Sequence, residues 1–183
     1  MNKKGLEIAK FILKLLGAGV IISTAIIFPN LALVGEDFVK RKSDFDRRRT
    51  KKTLWDLEKR KMIVRVERKN GTFFKLTGKG KMRLSEIKIK ELKIKKLKKW
   101  NGWWWIVIFD IPENMKNIRE RLRKILKDLG FYQLQKSVFV FPYQCQKEID
   151  FIKATYHINT YVDLILAKSL GKKEKIVRRF FQL

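Results

Sequence analysis

Apolar residues recur along this chain with two periods, one of about 3.6 residues and one of about 2, and the switches between them mark its predicted elements. In "DFDRRRTKKTLWDLEKR", Thr50, Leu54 and Leu57 fall on one side of a helix over residues 46 to 60, while Arg47, Arg48, Lys51, Lys52 and Trp55 fall on the other. The following "MIVRVERKNGTFFKL" sets two β-rich runs on either side of Asn70-Gly71, the pair that best tolerates the positive φ angles of a tight turn. A helix followed directly by a hairpin is therefore expected over residues 46 to 77.

After Trp100 the pattern changes. "WWWIVIFDIP" is a near-continuous β-forming run that stops at Asp110 and Pro112, as expected of a strand buried on both faces. From Glu113 to Leu129, residues Ile118, Leu122, Ile125, Leu126 and Leu129 form one helical stripe, and Gly130 suits a left-handed helix stop. "FYQLQKSVFVFPY" reads as two short strands, "KEIDFIKATYH" as a helix with Ile149, Ile152 and Tyr156 inward, and "TYVDLILA" as a last strand. Strand, helix, strand, strand, helix, strand is the ferredoxin-like βαββαβ order. Between the two halves, "EIKIKELKIKKLKKW" over residues 86 to 100 fits neither period cleanly and reads as a basic linker, extended by one spacing and helical by the other. The expected organisation is a domain at 1–85, that linker, and a second domain at 101–183.

Leu15 to Gly35 is a run of 21 uncharged residues behind Lys3, Lys4, Lys10 and Lys14. Its length meets the rule for a membrane span, but Gly17, Gly19, Ser23, Thr24 and above all Pro29-Asn30 would break a spanning helix early. Two buried elements joined at the Pro-Asn turn are expected instead, and membrane attachment is the least favoured reading.

Charge narrows the function. The 183 residues are 45% hydrophobic, enough to bury a core, yet 44 Lys plus Arg stand against 18 Asp plus Glu, a formal +26. Self-repulsion of that size is offset by a polyanionic partner, with nucleic acid the first candidate. A single cysteine, Cys145, can form no internal disulfide, which points to a cytoplasmic protein.

The basic helix at 46–60 is preceded by a short helical stretch, "EDFVKRK", and a turn at Ser43-Asp44, and it is followed by the hairpin. Those are the support helix, recognition helix and wing of a winged helix-turn-helix. Arg47, Arg48, Lys51, Lys52 and Trp55 would face the major groove of double-stranded DNA, with Arg65, Arg68 and Lys69 on or near the wing. Asp110, at a strand end, is a candidate ligand for a divalent ion such as Mg²⁺ if two copies meet across a dimer axis, although it is one carboxylate where metal catalysis usually wants several. Its plainer role is to cap the helix after Pro112. His157 and Cys145, each alone of its kind, read as structural. Trp100, Trp103, Trp104 and Trp105 read as sealing the junction between domains, with base stacking as the alternative. No phosphate loop, nucleophile elbow or zinc knuckle is present.

The stretch "IVIFDIPE", the Arg-rich helix "NIRERLRKILKDLG" and "QKSVFVFPY", in that order over residues 104 to 143, resembles the PaaX-like transcriptional regulators. Members of that family join a winged helix domain to a central domain shaped like the small subunit of the CRISPR spacer-integration complex, called Cas-two. The resemblance implies an α+β chain, a winged helix-turn-helix followed by a ferredoxin-like Cas-two-like domain, acting as a homodimeric DNA-binding repressor without a cofactor. In the Cas-two family the strand-end Asp is the candidate metal ligand, and Asp110 matches it; Gln135, Lys136, Ser137, Val138 and Phe139 match the "Q-x-S-V-F" phrase. Regulators of phenylacetate breakdown in this family sense an acyl-coenzyme A and are longer at the C-terminus, so no such effector is expected here. The alternative is a Cas-two-like factor in CRISPR DNA handling, either bridging for an integrase or cutting DNA through Asp110 with Mg²⁺.

Overall fold

A computed structural model describes residues 3–20, 22–23, 47–69, 71–97 and 99–183. The support-helix stretch at 36–42, the turns at Pro29-Asn30 and Ser43-Asp44, most of the uncharged run, and Asn70 lie outside the described residues. The chain divides into two units, Met1–Ile87 and Lys88–Leu183.

In the first unit, Ile8 with Ile12 and Ala9 with Leu13 repeat at four-residue spacing, which puts all of them on the buried side of helix α1 (Lys3–Gly17). Strand β1 (Ile22–Ser23) follows, then helix α2 (Arg47–Lys59), strand β2 (Ile63–Arg68) and strand β3 (Gly71–Leu76). The sheet order is β1-β3-β2, antiparallel throughout, with Ile22 opposite Phe74 and Ile63 opposite Leu76. Leu54, Leu57, Ile63, Phe74, Leu84 and Ile87 join the α1 residues in one core. The expected helix and hairpin thus stand at 47–59 and 63–76, and Gly71 at the turn has φ +121°.

Helix α3 (Gly78–Glu91) is fastened to the end of α2 by one hydroxyl. Thr77 Oγ1 donates to the Lys61 carbonyl at 2.6 Å and accepts from the Gly80 N–H at 3.0 Å, so it caps α3 while latching the turn after α2. The close approach requires a glycine, because a Cβ on Gly80 would stand 1.9 Å from the Met62 carbonyl oxygen. The expected linker differs from what forms: residues 86–91 are the last turns of α3, and Ile89, Leu92 and Ile94 pack into the second core. Neither period fitted because the segment is helical to Glu91 and without regular structure from 92 to 97.

The second unit runs β4 (Trp104–Phe109), a short 3₁₀ turn, α4 (Lys116–Asp128), β5 (Tyr132–Gln135), β6 (Val138–Phe141), α5 (Gln146–Tyr156) and β7 (Val162–Ala167). Its sheet order, β5-β6-β4-β7 with every pair antiparallel, is the ferredoxin-like arrangement expected from the element order. Val107, Phe109, Phe139, Phe141 and Val162 from the sheet pack with Leu122 and Leu126 of α4 and Ile149, Ile152 and Tyr156 of α5. Each such side chain is worth about 1.5–3 kcal/mol when buried. Gly130, at φ +90°, ends α4 as expected.

A further helix, α6 (Glu174–Phe181), was not expected from the pattern. It lies on the other face of the sheet through Val177, which packs with Trp104 and Val140 in a separate small core. Two of the tryptophans, Trp100 and Trp104, serve this contact, while Trp105 packs against the main core and Trp103 is exposed. Trp104 is fully buried, the tilted Trp100 ring lies against it with centroids 4.6 Å apart, and the Arg178 guanidinium of α6 sits 4.5 Å over the Trp100 ring. Their described contacts fall inside the second unit, with the C-terminal helix supplying part of them. Among the described residues, no helix is long and apolar enough to cross a membrane.

Replacing Gly80 by Ala should cost on the order of 1–3 kcal/mol, because a backbone carbonyl cannot yield as a side-chain tip would. Chemical denaturation should show the loss; unchanged stability would mean that α3 tolerates a shift away from Met62.

Candidate nucleic-acid interface

Helix α2 opens with Arg47, Arg48 and Arg49, followed by Lys51 and Lys52, and its first turn holds no acid. Cations there meet the positive end of the helix macrodipole, an arrangement unfavourable by a few tenths of a kcal/mol or more for each. The helix is held by the opposite side, where Thr53, Leu54 and Leu57 are buried and Thr50 is half-buried. Thr53 therefore belongs to the inner face; its hydroxyl donates to the Arg49 carbonyl at 2.8 Å, which lets a polar residue sit there. Arg48, Lys51, Lys52 and Trp55 are exposed as expected, and Arg49 joins them. The backbone of Arg47 starts the helix. Trp55 is 56% exposed and carries the Lys59 ammonium 4.8 Å over its ring.

On the hairpin, Arg68 and Lys69 are exposed at the turn end. Arg65 is drawn back toward α2: its guanidinium donates to Glu58 at 3.1 Å and lies over the Phe74 ring. Arg65 thus braces the hairpin against the helix, a role that sequence spacing alone did not separate from DNA contact.

Asp110 is exposed at the end of β4, and its N–H donates to the Tyr161 carbonyl at 2.9 Å. It lines an open cleft of about 340 Å³ with Pro112, Tyr161 and a second acid, Asp163. Asp163 stands opposite Ile108 across the β4–β7 ladder. The sequence offered no second acid at a neighbouring strand end; the register across more than fifty intervening residues supplies one. Among the described residues, no group of three or more His, Cys, Asp or Glu could hold a metal ion. The turn after Pro112 is secured by Glu113, whose carboxyl is held below its usual range by the hydrogen bond from Arg119, at 2.6 Å, and by that residue's charge. Arg119 also donates to the Ile111 carbonyl.

The "Q-x-S-V-F" residues form the tight turn between β5 and β6. Arg123 Nε donates to the Lys136 carbonyl at 2.8 Å, and the Phe109 N–H donates to the Ser137 carbonyl at 3.1 Å. His157 ends α5 in the left-handed conformation at φ +55° and is exposed. Cys145 is fully buried, and that burial pushes its thiol up to about 12, with the Glu148 charge adding to the effect.

The second unit is by its topology a ferredoxin-like α+β domain. Residues 97–177 match the family model described as the PaaX protein central Cas2-like domain. No curated protein matches the chain.

Two outcomes follow. Arg119→Gln should bring the Glu113 carboxyl back up toward its ordinary range, read by carboxyl-carbon NMR titration; the stabilising contribution of Glu113, present above the ordinary carboxylate pKa and lost as pH falls through its lowered folded value, should shrink with it. Cys145 should resist alkylation in the native protein at mildly alkaline pH and react fully in denaturant, by intact mass.

Proposed function

We propose that this protein is a DNA-binding transcriptional regulator, acting as a repressor and as a homodimer. The observation that carries the reading is the crowd of basic side chains in the first two turns of α2, kept at the unfavourable end of a helix that is fixed by its other face. Such a helix gains what it loses in self-repulsion when its N-terminal residues meet phosphates and base edges in a major groove. The hairpin behind it supports the same reading, since a β1-β3-β2 sheet with β1 between α1 and α2 and the β2–β3 hairpin after α2 is the arrangement of a winged helix-turn-helix, with Arg68 and Lys69 at the wing. The PaaX-like second unit is of the kind that regulators of this family carry. Dimerisation is assigned to residues 101–183, where Ile108 and Ile165 leave part of one sheet face apolar and exposed.

The rival reading, a Cas2-like factor that bridges or cuts CRISPR DNA, draws on Asp110 and Asp163 sharing one cleft. Two carboxylates give a Mg²⁺ ion fewer protein ligands than phosphodiester cleavage usually uses, unless a second copy adds its own.

Footprinting on DNA from around the protein's own gene, with excess competitor DNA, should show a protected inverted repeat whose half-site spacing reports the dimer. Replacing Arg47, Arg48, Lys51 and Lys52 together by Ala should weaken that binding by more than about a hundredfold while leaving the fold intact. Unchanged affinity would remove α2 from the interface. Mg²⁺-dependent cleavage lost in Asp110→Ala would instead establish the rival reading.

A further inference from the structure

Residues 88–183 hold half of the 44 basic residues and half of the 18 acidic ones, so the second unit has as much to offer a polyanion as the first. Its densest charge lies in one segment. Between Lys88 and Lys99 stand seven lysines and a single acid, Glu91. A segment whose only task is to connect needs neither that density nor an anchor, and this one is anchored. Ile89 is buried in the second core and Leu92 and Ile94 are packed against it, while Lys88, Lys90, Lys93, Lys95, Lys96 and Lys99 are exposed. From Leu92 to Lys95 the alternation of half-buried apolar and exposed lysine is that of an extended chain lying along a surface. At the rise of an extended chain, residues 92–97 reach about 20 Å. Over that length a DNA duplex presents about a dozen phosphates, one per roughly 1.7 Å of axis.

We infer that this lysine strap is a second contact surface for the phosphate backbone of duplex DNA, separate from α2 and the hairpin. The inference rests on the proposed DNA-binding function for its partner, and it adds a site to which that reading assigns nothing. Anchoring by Ile89, Leu92 and Ile94 fixes the backbone that carries the ammonium groups, so less chain entropy is lost when phosphates arrive. Lysines in such a strap supply affinity and not base preference, because an ammonium at a phosphate reads no base edge. The strap would hold the protein on DNA of any sequence while α2 reads the site.

The test is a fluorescence titration of a random-sequence DNA duplex with the full chain over a range of salt concentrations. Three proteins are compared: the native chain, a variant with Lys93→Gln, Lys95→Gln and Lys96→Gln, and a control with Lys124→Gln, Lys127→Gln and Lys147→Gln, which removes the same charge from exposed helix positions of the same unit. The strap variant should lose affinity, and its slope of log K against log salt should fall in magnitude by about 2 to 3, at about 0.9 per phosphate contact, with the control close to native. An unchanged slope in the strap variant, or an equal fall in the control, overturns the strap as a site and leaves the reading of α2 standing. Loss of binding to phosphatidylserine vesicles without loss of duplex binding overturns it in favour of a lipid surface. No binding of the native chain to duplex DNA overturns both the strap and the DNA-binding function.

Discussion

Like charge is the constraint under which everything else in this protein is arranged. With 44 basic side chains against 18 acidic ones, the folded chain repels itself, and the apolar residues of each unit must keep that unit folded against the repulsion. The answer in both units is to divide each element sharply. Helix α2 spends Thr53, Leu54 and Leu57 on the core and leaves Arg48, Arg49, Lys51 and Lys52 outward; α4 does the same with Leu122 and Leu126 beneath Lys116, Lys124 and Lys127. Acids are used where they fasten something: Glu58 to Arg65, Glu113 to Arg119, Glu174 to Arg178. These pairs are exposed and individually weak, so their value is in aiming basic side chains more than in stabilising the fold.

Hydrogen bonding also sorts the positive charge into two kinds. Arg65, Arg119 and Arg123 reach back to carboxylates or carbonyls of their own unit and act as struts. Lys51, Lys52, Lys93, Lys95 and Lys96 are exposed lysines on anchored backbone. Arginine suits the first task because its planar fork can satisfy two acceptors at once, as Arg119 does with Ile111 and Glu113; lysine suits the second as a mobile point charge.

Much of this was legible in the sequence, and what was not had physical reasons. The stripe in α4, its glycine stop, the run of β4 and the hairpin around residues 70–71 are local patterns, and local patterns survive without a structure. Asp163 beside Asp110 is not local, since it depends on the register of two strands far apart in the chain. The hydroxyl of Thr77 closes the end of one helix and the start of the next, a double role visible only when both ends are placed. Helix α6 went unseen because eight residues with two exposed hydrophobics, Ile176 and Phe180, resemble a tail until Trp104 is known to lie beneath Val177. The segment at 86–100 mixed two periods because it is a helix that gives way to an extended run, and a single template fits neither part.

Strand β4 carries apolar residues on both sides, with Trp104, Ile106 and Ile108 alternating with Trp105, Val107 and Phe109. In most half-buried strands a slip of one residue is punished at once, because it drives polar groups into the core. Here a slip would exchange one greasy set for another, so hydrophobicity is nearly blind to the mistake. The correct alignment must be chosen by the strand's end, where the Phe109 N–H meets the Ser137 carbonyl and the Asp110 N–H meets that of Tyr161. The turn at Lys136–Ser137 is thereby more than a connection: it is the ruler against which the central strand is measured while the domain folds.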